Sequence, residues 1–269
     1  MVADLTSVLA PHHAAAVAAA VERFGTDDAC VALLLVGSLA HGSGSPGSDV
    51  DVILVASEEE FARRRSDGTL AFVVRDLATW AGGYVDVKVT SRTMLEQIAR
   101  RGSDAARYAF RDARILVTRD PSIESLVERV ARFPVEQRET REHRFLAQLL
   151  AWTWFMGEAE SHGSLYLSTV ATHKLVLFAC RVVLNANEAL YPYHKWLLHE
   201  TERLPRQPEG FSERIAELLE RPSFAAAQRL KDGVLAFAGA QEQELDWPNQ
   251  FMVDSELNWL EHEAPIDDL

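Results

Sequence analysis

VALLLVGSLAHGSGSPGSDVDVILV, residues 31–55, joins two apolar runs through a segment rich in glycine and serine. Cys30 to Val36 is a short unbroken apolar run followed by turn residues, the pattern of a buried strand. Val50 to Val55 predicts a second strand, with acidic residues at its entrance. Gly37-Ser38 follows the first strand directly, and ten residues separate Ser38 from Asp49. Side chains alternate along a strand, so Asp49 and Asp51 project from the same side. Two carboxylates held together repel each other unless a cation offsets the charge. Oxygen-only ligands with room for phosphate favour Mg²⁺. Gly37 lets the backbone come close to a ligand. Ser38 adds a hydroxyl, and the amides of the next helical turn can meet phosphate oxygens.

Outward from this stretch, the first half alternates helical and strand patterns. Helices are expected over Pro11 to Phe24, Glu58 to Arg65, Met94 to Arg101, Ala105 to Arg111 and from Pro121 to about Arg132. Further strands are expected over Thr69 to Val74, Tyr84 to Thr90 and Arg114 to Thr118. After Pro134 the strand signals fade. Helices are expected over Glu136 to Glu158, Leu165 to Asn187, Tyr191 to Glu202, Ser212 to Leu219 and Phe224 to Glu244, a four- or five-helix bundle. The fold class read from this order is α+β, with a small mixed-sheet domain over residues 1–133 and an all-α domain over residues 134–269.

The 269 residues are 48% hydrophobic and 25% charged, ordinary values for a globular chain, with a net charge of −13. The surplus is uneven. Residues up to Arg132 carry 15 basic and 18 acidic side chains, and those from Phe133 onward carry 12 and 22. A chain so acidic is poorly suited to nucleic acid, whose binding rests on phosphate neutralisation. Its second half suits a cationic partner or simply a well-solvated surface. No uninterrupted apolar run approaches the ~18 residues of a membrane span, and no Lys or Arg precedes Arg23 as a secretory signal requires. Cys30 and Cys180 lack companions at metal-ligand spacing and read as buried thiols in a reducing compartment, so a cytoplasmic location is expected.

Gly37-Ser38, ten residues, then Asp49-x-Asp51 resembles the signature of the DNA polymerase β-type nucleotidyltransferase superfamily. The likeness is greatest to small bacterial antibiotic nucleotidyltransferases with a helical C-terminal domain. The resemblance implies a third carboxylate on a later strand, and Asp86 in GYVDVKV fits that place. It implies transfer of a nucleoside monophosphate from a nucleoside triphosphate, ATP being expected, to an acceptor hydroxyl. Two Mg²⁺ ions would be held by Asp49, Asp51 and Asp86, with Asp86 doubling as general base. Gly37, Ser38 and Ser48 are assigned to the nucleotide. Lys88 shares the face of Asp86 and stands either for a phosphate contact or for an ion pair. Lys195, in the Tyr191-Pro-Tyr-His-Lys-Trp196 segment, is assigned to the triphosphate, against the alternative of a lysine merely snorkelling from an aromatic helix. His41, in the loop, has no second histidine at ligand spacing and is not read as a metal ligand; a phosphate or substrate contact is the lesser alternative to a plain loop residue. The expected acceptor is a cationic small molecule of aminoglycoside type. A protein acceptor, as in two-gene toxin systems, and a catalytically silent nucleotide-binding protein are the alternatives. Either a monomer or a homodimer is compatible with the sequence.

Overall fold

Leu33, Leu34 and Leu35 are completely buried, as a strand covered on both faces requires. They lie in β1 (Cys30–Val36), the strand predicted over the same residues. The computed structural model describes residues 9–260, 263 and 265–268. The chain divides into two compact units, Met1–Arg132 and Phe133–Leu269. The architecture is α+β, with a five-stranded mixed sheet in the first unit and helices throughout the second.

The first unit runs α1 (Pro11–Gly25), β1, α2 (Gly37–His41), β2 (Val50–Ala56), α3 (Glu58–Ser66), β3 (Ala71–Val74), β4 (Val85–Ser91), α4 (Arg92–Arg101), α5 (Asp104–Tyr108), β5 (Arg114–Thr118) and α6 (Ser122–Val130). The strand order is β3-β4-β2-β1-β5. β2 and β4 run parallel, while the other neighbours are antiparallel. The parallel pair requires a crossover, which α3 and β3 supply.

Alternation divides the strands between two cores. Leu33 and Leu35, Val50, Val52 and Leu54, and Val85, Val87 and Val89 pack with Ala16, Val17, Ala20 and Phe24 of α1. Ala32, Leu34, Val36, Ile53 and Val55 form the second core with Leu95 of α4 and Ile123, Leu126, Val127 and Val130 of α6. Each such buried aliphatic side chain contributes about 1.5–3 kcal/mol relative to exposure. Asp49, Asp51 and Asp86 have the parity of the second face. They occupy the end where β2 and β4 begin and β1 stops.

Serine hydroxyls mark the helix starts. Ser57, Ser91 and Ser103 each accept the backbone N–H three residues on, at the heads of α3, α4 and α5. Arg107 in α5 is 3% exposed. Its guanidinium donates to the carbonyls of Gly102, Ala99, Val130 and Arg132 at 2.9–3.4 Å, tying the ends of α4 and α6 together. Arg107→Met leaves these acceptors short of donors and is expected to lower unfolding stability by about 3 kcal/mol or more, read from urea denaturation.

The second unit is built on α7 (Arg138–Ser161) and α8 (Leu165–Ala186), followed by α9 (Leu197–Glu202), α10 (Phe211–Glu220), α11 (Phe224–Ala238) and α12 (Trp247–Phe251). Leu146, Leu149 and Leu150 of α7, Leu175 and Val183 of α8, and Leu230 of α11 are buried. A π-helical turn, Met252–Glu256, follows α12. It is held to α7 by Arg144 on Asp254 at 2.8 Å and by Gln148 donating to Ser255 at 3.0 Å. α8 is long and apolar enough, by length and composition, to cross a membrane, although its apolar residues are interrupted by polar ones. A packed core helix has the same composition, and half of its apolar window is buried here.

Two helix expectations are corrected. Tyr191 to Glu202 is not one helix: Pro192 blocks a regular start, and Tyr193 takes φ 65° and ψ 179°, outside helical space. The chain becomes helical only from His194, first as a 3₁₀ turn and then as α9. α11 stops at Ala238 rather than Glu244 because Gly239 adopts the left-handed conformation that closes a helix. Cys30 and Cys180 are both free and buried, and burial pushes the Cys180 thiol up to about 12.

Candidate active site

The chain leaves β1 at Gly37, whose φ of 69° lies in the left-handed region. A Cβ placed there would stand 2.1 Å from the Asp51 Oδ2. Glycine is therefore required twice, for the turn and for the space that the carboxylate takes. Val36 pairs with Asp51 across β1 and β2, and Asp51 pairs with Asp86 across β2 and β4. Two carboxylates facing each other on adjacent strands are destabilising. Neither is buried away in compensation, since Asp49, Asp51 and Asp86 are all half-buried.

Tyr84 completes the cluster. The neighbouring Asp49 carboxylate acts on its hydroxyl first, followed by burial and the charges of Asp86 and Asp51, and together they raise the phenol above its ordinary value. One hydroxyl thus senses all three carboxylates. Tyr84 went unnoticed in the sequence, although it stands two residues before Asp86 on the same strand face, a spacing that strand alternation makes visible. Beside Tyr191, which burial pushes up to about 12, tyrosinate absorbance should show Tyr84 titrating above its ordinary value. Asp49→Asn should lower it, and an unmoved titration would refute this contact.

The Gly/Ser loop is anchored from α1. His12 and His13 donate through Nε2 to the carbonyls of Pro46 and Ser48, each at 2.9 Å. Trp80 packs on both imidazoles at 5.0 Å between ring centroids. Burial lowers the His13 pKa against the opposing effect of its bond to the Ser48 carbonyl. The Ser48 hydroxyl accepts from the Ser45 N–H at 2.8 Å, which makes it a turn-forming group just before Asp49. Ser38 is half-buried, and its carbonyl accepts from the Ser43 N–H.

His41, at the end of α2, shares a helix face with Ser38 by its three-residue spacing. Its Nδ1 donates to the Asp112 carboxylate at 3.0 Å, and its ring lies 5.5 Å from that of Tyr108. Asp112 holds φ 58°, a conformation that aspartate tolerates better than most residues. It lies 71 positions from His41, and no local signal linked the two. Lys88 is exposed on β4. Lys195 belongs to the second unit, exposed on the 3₁₀ turn with its Nζ 5.6 Å from the Trp196 ring centroid.

The oxygen-only donor set of Asp49, Asp51 and Asp86, gathered around one hydroxyl beside a glycine cradle, fits a hard divalent cation. No three His, Cys, Asp or Glu side chains among the described residues stand in a metal-holding arrangement.

No family model and no curated protein matches the chain. Among solved structures it is similar to a nucleotidyltransferase-like protein from Exiguobacterium sibiricum 255-15. That likeness spans 93% of this chain and 80% of the other, with 11% identity and a TM-score of 0.49. At that score the likeness carries no weight, and the reading of the site rests on this chain's own residues.

Proposed function

We propose that the chain is a nucleotidyltransferase that moves a nucleoside monophosphate from a nucleoside triphosphate, ATP in the first instance, to a hydroxyl of a small molecule. The observation that carries this reading is the packing of Asp51 against Gly37 and opposite Asp86, with Tyr84 coupled to Asp49. A fold that keeps three mutually repelling carboxylates at a sheet end, beside a glycine it cannot replace, holds them for a purpose other than stability. Asp49, Asp51 and Asp86 would hold Mg²⁺, two ions in the reading drawn from the resemblance. Bound there, Mg²⁺ would neutralise the triphosphate and acidify the acceptor hydroxyl.

The remaining roles belong to the chain itself. Gly37 lets the backbone approach the triphosphate, and the Ser38 hydroxyl donates to a phosphate oxygen. Ser48 shapes the loop that delivers Asp49. Asp86 takes the proton of the attacking hydroxyl as the phosphorus–oxygen bond forms and pyrophosphate departs. Lys88 and Lys195 are proposed as phosphate contacts, Lys88 from the same strand face as Asp86. The acidic surplus of the second half favours a cationic acceptor such as an aminoglycoside.

The test is Mg²⁺-dependent pyrophosphate release from each of the four nucleoside triphosphates, with and without a panel of aminoglycosides and lincosamides. Acceptor-dependent release is expected. Triphosphate binding without release for any acceptor would favour the catalytically silent alternative or a protein acceptor.

A further inference from the structure

The second unit contains a cavity of about 500 Å³ between α8, α9 and α10, a size typical of small-molecule sites. Val176, Leu177, Leu197, Leu198, Leu219 and Pro222 supply apolar walls. Its polar groups are Thr169, Thr172, His173 and His194, with no aspartate or glutamate among the described lining residues. In a unit carrying 22 acidic side chains against 12 basic ones, a cavity whose described lining residues include no carboxylate is selective in what it presents.

The two threonine hydroxyls spend their protons on backbone carbonyls within α8, Thr169 on Leu165 and Thr172 on Ser168. Toward the cavity they are acceptors only. The donors are therefore the imidazoles of His173 and His194, which lie 5.1 Å apart between centroids and make no hydrogen bond with any described residue. His173 and His194 stand exposed at the cavity mouth; partial desolvation, then the charges of His194 and Lys174, hold His173 below its ordinary pKa. An anion beside the rings relieves that repulsion, whereas a cation adds to it.

Backbone strain adjoins one of these rings. Tyr193, immediately before His194, sits at φ 65° and ψ 179°, a region that residues other than glycine essentially avoid. The surroundings enforce it. Tyr191 is buried under the Arg181 guanidinium, 4.6 Å from its ring centroid, and Tyr193 packs on the His194 ring at 4.7 Å. Pro192 keeps a helix from beginning at Tyr191, and the turn at Tyr193 directly precedes His194, whose ring lies 5.1 Å from that of His173.

The geometry points to a second ligand site, in which the helical unit binds an aromatic organic anion, its ring system on the Leu197–Leu219 walls and its carboxylate on the His173–His194 pair. That chemistry is opposite in sign to the cationic acceptor proposed above, and the site stands whether or not nucleotidyl transfer is found.

The test is an NMR titration of the full chain, labelled in its histidines, with 2-naphthoate as the anionic probe and 2-naphthylmethylammonium as the cationic one. His173→Gln and His194→Gln assign the two resonances among the nine histidines. Saturable movement of those two signals is expected below about 1 mM naphthoate, with the ammonium probe at least tenfold weaker. Leu219→Asp puts a carboxylate on a wall position that is 47% exposed and should abolish naphthoate binding without unfolding the chain. Absence of saturable movement, equal binding of the cation, or unchanged binding in a folded Leu219→Asp variant would each overturn the proposal.

Discussion

Gly37→Ala is expected to lose at least about a hundredfold of nucleotidyl transfer, the scale of loss when a reacting group is misplaced by about an ångström. The added methyl carbon would stand 2.1 Å from Asp51 Oδ2 and 2.8 Å from its Cγ, so the carboxylate must move. The left-handed φ adds a backbone cost of about 1–2 kcal/mol, which would lower thermal stability without abolishing folding. Gly42→Ala separates the two effects. Gly42 has φ 74° and open space around its missing side chain. It carries the same backbone cost with no collision, and its activity should stay within a few-fold of normal. Pyrophosphate release and melting temperature, measured on both variants, decide the matter. Equal activity in the two would mean that the Gly37–Asp51 approach is incidental.

Asp51→Asn keeps the shape of the side chain and removes its charge. Turnover should fall by on the order of a hundredfold or more, as when a group stabilising transition-state charge is lost. Stability should not fall with it. Asp51 faces Asp86 across parallel strands, and an amide there removes a like-charge repulsion. Lost turnover with an unchanged or raised melting temperature is the signature of a residue kept for chemistry. Near-normal turnover would sink the site assignment.

Much of this site was legible because its central residues are local in sequence. The apolar run of β1, the Gly37-Ser38 turn and the Asp49-x-Asp51 entrance to β2 lie within one 25-residue stretch. Strand parity then put both carboxylates on one face without any tertiary knowledge. The same alternation put Asp86 and Lys88 on one face of β4, where Val85, Val87 and Val89 are buried beneath them. Composition marked the change from mixed α/β to helical patterns near Phe133, and the chain divides at Arg132–Phe133.

Other features depend on contacts that no local pattern encodes. Residue types and spacing by themselves determined the strands, the turn and which side chains share a face, because those follow from backbone period and steric preference. Only the tertiary structure decided that β4 lies parallel to β2 with Asp86 in register with Asp51, since a crossover connection leaves both neighbour and register to the packing of the sheet. It also decided that Asp112 meets His41 across 71 positions, that Tyr84 engages Asp49, and that His12 and His13 hold the loop. The Tyr191–Trp196 segment shows the limit most directly. Its aromatic pattern suited a helix, yet Pro192 and the burial of Tyr191 force Tyr193 into a glycine-like conformation, because the energy gained by packing exceeds the local preference it overrides.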